Sequence, residues 1–358
     1  MTLVDRSRRA ALGAIARTLT AVGATALGIR TAAAQDDPFA GVPSAGTARE
    51  AFLVERARRE GVLGLYTSIT PDDLAPLTTA FERKHGVKTR VWRASSETIA
   101  QRVLTEARAG RFEVDVIETN GSILESLGRE KLLVAVKAPG HAALVDGAVR
   151  RSGEWVGTRV NVFAQAYHTG QVKPSELPRE YRDLLDPRWK GRLGIEAADY
   201  DFLAGAAEVL GEEEAVRLFR SLAATNGLSV RKGHTLLANL VASGEIPLAL
   251  TVYQYRVEQL KQKGAPIDWF VIPPAIAHMN GIAIARRAPH RHAALLFYDF
   301  MLGDGLPLLA QREVITTSRE LPSLITREPV RFADPERMLD EQDKWQRLFN
   351  EIVGSRAR

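Results

Sequence analysis

Short apolar runs alternate with stretches of helical period from residue 61 onward, and that alternation restricts the chain to one broad class of fold. Gly61-Val62-Leu63-Gly64-Leu65-Tyr66 reads as a buried strand ending in Thr67-Ser68. Pro71, Asp72 and Asp73 then open a helix whose apolar residues Leu74, Leu77 and Phe81 recur at helical spacing, and Gly86 closes it. The pattern repeats. Val87 to Trp92 is a strand, Ser95 or Ser96 caps a helix running through Ile99, Val103 and Leu104 to Gly110, and Val114 to Ile117 is a third strand, followed by Asn120-Gly121 and another helix. A second series has a strand at Arg192 to Ile195, helices from about Asp201 and at Glu212 to Ala223, and a strand at Pro247 to Val252. The predicted class is α/β, with mostly parallel sheets covered on both faces.

Two further stretches break the alternation. Trp155 to His168 is long and extended, and Gly281 to Ala285 returns as a strand, as two lobes joined by hinge strands would require. Residues 35–59 are read as a leader and a first helix, from about Ala48 to Arg59.

The N-terminus has a separate logic. Ser7-Arg8-Arg9 precedes a small-residue apolar run to about Ile29, and Ala32-Ala33-Ala34 stands before Gln35. Paired arginines ahead of a weak apolar region predict a twin-arginine export signal at residues 1–34, cleaved near Ala34, and hence a periplasmic protein. A cytoplasmic or uncleaved N-terminus is the alternative, but the run is too short and interrupted for a bilayer span of about 20 apolar residues. No second run long enough to cross a membrane is read downstream. The formal charge of the whole chain is +5, while residues 1–34 carry Arg6, Arg8, Arg9, Arg17 and Arg30 against Asp5, so the remainder is 5 − 4 = +1 and no nucleic-acid partner is implied. The absence of cysteine excludes disulfides, thiolate metal sites and thiol nucleophiles, leaving oxygen and imidazole ligands for any metal.

Several segments, in order, resemble the extracellular solute-binding proteins of ABC importers, in particular the ferric-iron-binding branch of the type II periplasmic binding proteins. They are Leu65-Tyr66-Thr67-Ser68, Phe81 to Val87, Val114-Asp115-Val116, Trp155-Val156-Gly157, Leu184 to Arg192 with its Asp-Pro-x-Trp-Lys-Gly core, Gly244 to Leu250, and Gly281 to Ile284. The resemblance implies a two-lobed type II fold, each lobe a mostly parallel sheet flanked by helices. The first lobe would comprise 60–160 plus 280–330, the second 161–279, with C-terminal helices over 331–358. It also implies a monomeric receptor that delivers its ligand to an inner-membrane permease and is not an enzyme. Ferric iron would be the transported ligand; no cofactor is implied.

Tyr253 and Tyr255 fall where that branch carries its tyrosine ligands, with Tyr253 one place off the usual pairing. Phenolate suits a hard ferric ion, but ionising two ordinary phenols at pH 7 costs about 8 kcal/mol, which only a highly charged cation offsets. Read alone, the pair could also pack as neutral phenols on one face of an extended segment. Where the branch often has a first-lobe histidine this chain has Ser68-Ile69-Thr70, and where it often has a glutamate there is Asn120, with Glu118 two residues earlier. Asp199, Tyr200 and Asp201 could supply replacement oxygens, with Tyr200 a third candidate metal ligand, or the acids could cap the next helix.

A second constellation suits a small organic anion such as a carboxylate, phosphonate or sulfonate. Thr67, Ser68, Ser95, Ser96, Thr119, Asn120 and Ser122 lie near helix starts, and Arg93 could make a bidentate pair. A polyamine or thiamine-like cation would instead use Tyr200, Tyr255 and Asp199. His168, His234 and His278 are scattered and read as surface or hinge residues, and Arg231-Lys232-Gly233-His234 as a solvated loop. No nucleophile elbow, phosphate loop, zinc-protease motif or dinucleotide fingerprint is present, although an enzyme on the same fold is a further alternative.

Overall fold

The computed structural model describes residues 38–322 and 330–354. The export-signal reading of residues 1–34 lies outside them. Among the described residues, twelve strands form one sheet: β1 (Val62–Thr67), β2 (Lys88–Arg93), β3 (Val116–Asn120), β4 (Leu133–Val134), β5 (Trp155–His168), β6 (Leu193–Glu196), β7 (Ser229–Arg231), β8 (Leu248–Tyr253), β9 (Ile267–Phe270), β10 (Ala275–Ala285), β11 (Ile315–Thr316) and β12 (Val330–Phe332). Its main path runs β2-β1-β3-β10-β5-β8-β6-β7, with β4 and β12 against β10 and β9 and β11 against β5.

Two parallel trios make up the ends of that path. One is β2-β1-β3, the other β8-β6-β7. The antiparallel pair β5–β10 lies between them and unites both in one hydrogen-bonded sheet. The long extended segment is therefore confirmed from Trp155 to His168, and the returning strand begins six residues earlier than predicted, at Ala275 rather than Gly281.

Twelve helices are named: α1 (Gly46–Glu60), α2 (Pro71–His85), α3 (Ser96–Arg108), α4 (Gly121–Arg129), α5 (Tyr200–Leu210), α6 (Glu212–Thr225), α7 (His234–Ala242), α8 (Gln254–Gln262), α9 (Arg291–Phe300), α10 (Leu306–Ala310), α11 (Pro335–Asp340) and α12 (Gln342–Gly354). Local chemistry sets their ends. Pro71 occupies the first turn of α2 with Asp72 and Asp73, where carboxylates complement the helix dipole, and Gly86 ends it in the left-handed conformation at φ 72°. Ser95 caps α3 and Asn120 caps α4 through their side-chain oxygens.

A strong steric constraint sits where β3, β5 and β10 meet. A Cβ on Gly281 would lie 2.4 Å from the Val156 carbonyl oxygen and 2.6 Å from the Trp155 ring, so only glycine lets β10 pass that indole. Separate apolar cores flank the trios. Tyr66, Ile117, Leu124 and Trp155 pack beside the first, whereas Phe163, Phe202, Phe219, Trp345 and Phe349 form a larger cluster beside the second. Each such side chain contributes about 1.5–3 kcal/mol on full burial. The C-terminal helix α12 thus belongs to the second core.

One sequence expectation is corrected here. Arg291–Ala310, comprising α9, a π turn and α10, is a 20-residue helix long and apolar enough to cross a membrane. Its apolar residues, among them Leu295, Leu296, Phe297 and Leu309, are buried in the protein core instead.

Candidate functional site

Ligands of open parallel sheets sit beyond the carboxyl ends of strands, where helix N-termini converge. The two trios meet at those ends in a continuous polar network carried by β5 and β10. Arg159, only 5% exposed, donates from Nε to Glu118 Oε1 at 2.9 Å, from Nη2 to Ser68 Oγ at 3.1 Å and from Nη1 to Asn161 Oδ1 at 3.4 Å. Glu118 Oε2 accepts from Thr67 Oγ1 at 2.8 Å. Asn161 Nδ2 lies 3.1 Å from Asn280 Oδ1 and 3.0 Å from His278 Nε2. His278 Nδ1 is 2.6 Å from Asp201 Oδ2, and because a carboxylate only accepts, Nδ1 carries a proton there.

Tyr253 ends β8 and Tyr255 lies in the first turn of α8. The expectation that both share one extended segment is corrected: the chain turns into a helix at Gln254. The rings are still near-parallel, with centroids 6.2 Å apart and planes 15° from each other. The Tyr253 hydroxyl is 3.4 Å from His278 Nε2, and the His234 ring covers Tyr253 at 3.7 Å between centroids. Burial pushes both phenols above the ordinary tyrosine range; nearby Asp199 and Asp201 push Tyr253 further, whereas the Arg159 charge pulls Tyr255 back.

Asp199, Glu196 and His234 form a second group of ligand-type atoms, all within 4.8 Å of one another. His278 is buried on β10, so the surface alternative is corrected for it, while His234 is half-buried. Gly233, at φ 105°, immediately precedes α7 and lets His234 pack inward while Lys232 stays exposed, and His278 points from β10 into the polar network.

The remaining sequence candidates fall differently. Tyr200, the first residue of α5, lines a cavity of about 20 Å³ with Asn120, Ser122, Asp201 and His278. That space holds one water-sized sphere. Asp199 stands at the N-cap position of α5 without capping it, so the capping alternative is corrected for Asp199, whereas Asp201 does both: its Oδ1 accepts from Phe202 N in the first turn of α5 at 3.0 Å while its Oδ2 turns toward His278. Asn120 accepts from Ser122 N at 3.0 Å, Ser96 Oγ accepts from Thr119 at 2.8 Å, and Ser95 accepts from Thr98 N at 3.4 Å. Arg93 is exposed at the end of β2, outside the network just described. Sequence reading missed Arg159, Asn161, Asn280 and Glu196. For Arg159, Asn161 and Asn280 the signal was present as polar residues two apart, Arg159/Asn161 and His278/Asn280, on one face of their strands.

Residues 115–310 match the model of the bacterial extracellular solute-binding protein family, more than half of the chain. The chain belongs to that family. Iron uptake protein A1 of Synechocystis sp. is 24% identical over 292 residues, spanning 73% of this chain and 76% of that protein. Iron-bound HitA from Pseudomonas aeruginosa superposes with a TM-score of 0.70 at 21% identity, covering 81% of this chain and 99% of HitA. AfuA from Actinobacillus pleuropneumoniae, with fructose-6-phosphate bound, gives a TM-score of 0.73 at 21% identity, covering 82% and 99%. The fold is that of the type II periplasmic binding proteins, a fold that does not itself choose between an ion and a metabolite.

Proposed function

We propose that the protein is a periplasmic receptor that binds ferric iron through Tyr253 and Tyr255 and presents it to an inner-membrane ABC permease, without catalysing a reaction. The observation that carries the reading is the pair of near-parallel phenols at the β8–α8 junction, beside the His278–Asp201 pair. Two phenolates are hard, anionic donors, and a trivalent ion is the ligand able to offset their ionisation. A relative named for iron uptake agrees with this. The organic-anion alternative is less well supported, since Thr67, Ser68, Ser95, Ser96 and Asn120 all make internal hydrogen bonds. Tyr200, which lines a small cavity with His278 and Asp201, is a further oxygen donor for the ion to recruit. In this reading the two sheet halves, 60–160 with 280–330 and 161–279, act as lobes, and residues 1–34 direct twin-arginine export with cleavage near Ala34.

Gentle purification from the periplasm, followed by metal analysis and mass spectrometry of released material, tests the proposal. About one iron per chain is expected. An organic metabolite in stoichiometric amount without iron would overturn it.

A further inference from the structure

Three donors from three different elements converge beside Tyr253 without belonging to the phenol pair. Glu196 ends β6, Asp199 immediately precedes α5, and His234 begins α7. Glu196 and Asp199 are 5% and 3% exposed. We propose that Glu196, Asp199 and His234 form a second cation site, for one divalent transition-metal ion of the Zn²⁺ or Co²⁺ type.

The ligand-type atoms of the three residues lie within 4.8 Å of one another. His234 Nδ1 faces the Thr251 carbonyl at 3.1 Å, and a carbonyl can only accept, so Nδ1 carries the proton and Nε2 is turned toward Asp199. An outer hydrogen bond of this kind fixes tautomer and ring angle in metal-bound histidines. His234 Nε2 lies 3.3 Å from Asp199 Oδ1. Two ligands at about 2.1 Å from a shared tetrahedral ion stand about 3.4 Å apart. Glu196 is oriented by Gly233 N at 2.8 Å and Ala198 N at 2.5 Å, and each of its oxygens keeps a second lone pair.

Asp199 Oδ2 supplies an independent indication. It is buried and has no hydrogen-bond partner. A buried carboxylate oxygen left in that state is costly unless something of positive charge meets it. His234, even when protonated, brings one positive charge to two buried carboxylates. Asp201 does not share this role because its Oδ2 is held by His278 Nδ1. A divalent ion cancels both carboxylate charges, and one imidazole with two carboxylates is a donor set suited to late first-row metals. The His234 ring covers the face of Tyr253, so an ion here also fixes one wall of the phenol pair.

This site does not depend on the ferric reading, and Co²⁺ separates the two. Chelator-treated full-length protein is titrated with Co²⁺ alone and followed by its visible d–d absorption, with Zn²⁺ as competitor. Saturation at one Co²⁺ per chain is expected, displaced by Zn²⁺. Asp199→Asn, which preserves shape, and His234→Ala should each weaken binding at least about tenfold, while Tyr255→Phe changes it by less than about twofold. Thermal unfolding of each variant checks that it is folded, and Asp199→Asn alone decides should His234→Ala not fold. No saturable Co²⁺ binding, or binding unchanged in Asp199→Asn, would overturn the proposal. Loss of Co²⁺ binding in Tyr255→Phe would overturn it too, because the ion would then belong to the phenol pair.

Discussion

The strand ends of the two parallel trios carry similar amounts of polar chemistry and use it differently. At the first trio, Thr67 and Glu118 bond to each other, Ser68 accepts from Arg159, Ser95 and Asn120 cap helices, and Ser96 accepts from Thr119. At the second, Tyr253 makes a long contact with His278 and Asp199 retains an oxygen without a partner. Donor capacity used internally holds a fold together, whereas donor capacity held beside buried charge is what a cation can recruit. In the proposed reading the first region is therefore a scaffold and the second the binding surface.

The largest effect expected from breaking the scaffold comes from the buried ion pair. Glu118→Ala leaves Arg159 charged and unpaired in the interior and should destabilise the protein by about 3–5 kcal/mol in urea unfolding. A loss below about 1 kcal/mol would mean that Arg159 finds water or another anion, and the region is not the rigid frame described.

On the binding side, pH should matter more than salt. Both phenols are raised above the ordinary tyrosine range by burial, so at neutral pH both hold their protons, and a ferric ion bound to both releases two. Affinity then rises with pH by up to about 100-fold per unit across pH 6–8. Competition against a chelator whose own proton release is subtracted measures this, and a flat profile would remove the phenolates from the site.

Ser95→Ala tests the scaffold more gently. Loss of the α3 cap should cost about 1 kcal/mol while leaving ferric affinity unchanged, as read by parallel unfolding and iron titrations. Smaller still is Arg93→Ala, expected to stay within about 0.5 kcal/mol in stability and to leave ligand affinity unaltered. A large loss of affinity there would move the binding surface to the first trio and restore the organic-anion reading.

The contrast between the trios was only half visible in the chain. β5 was legible to the residue because Trp155 to His168 is rich in β-branched and aromatic residues and is flanked by Ser152-Gly153 and Thr169-Gly170. α2 was legible because Pro71, the acidic first turn and Gly86 all agree with its apolar period. α7 and α8 were not. α8 starts at Gln254 behind a tyrosine without a side-chain cap, and its Gln-Tyr-Arg-Val-Glu-Gln run gives little apolar periodicity, so the segment resembled a strand end. Tyr253 and Tyr255 were still found, through residue type and family resemblance. His278, Arg159 and Glu196 were not, because their importance arises from strand pairings separated by more than one hundred residues in some cases, such as His278 with Asn161. His234 was misread because a basic tetrapeptide looks solvated, whereas Gly233 lets His234 pack inward.

Ferric titration of wild type against Tyr255→Phe tests the central claim most directly. Phenylalanine keeps the buried ring and removes only the oxygen, so folding stability should change by no more than about 1.5 kcal/mol. The wild-type complex should develop a visible phenolate-to-iron charge-transfer band saturating at one ion per chain, and Tyr255→Phe should weaken or abolish both the colour and the binding. A wild-type protein that stays colourless with ferric citrate, or a Tyr255→Phe variant with undiminished colour and affinity, would contradict the assignment of the second trio as the iron-binding surface.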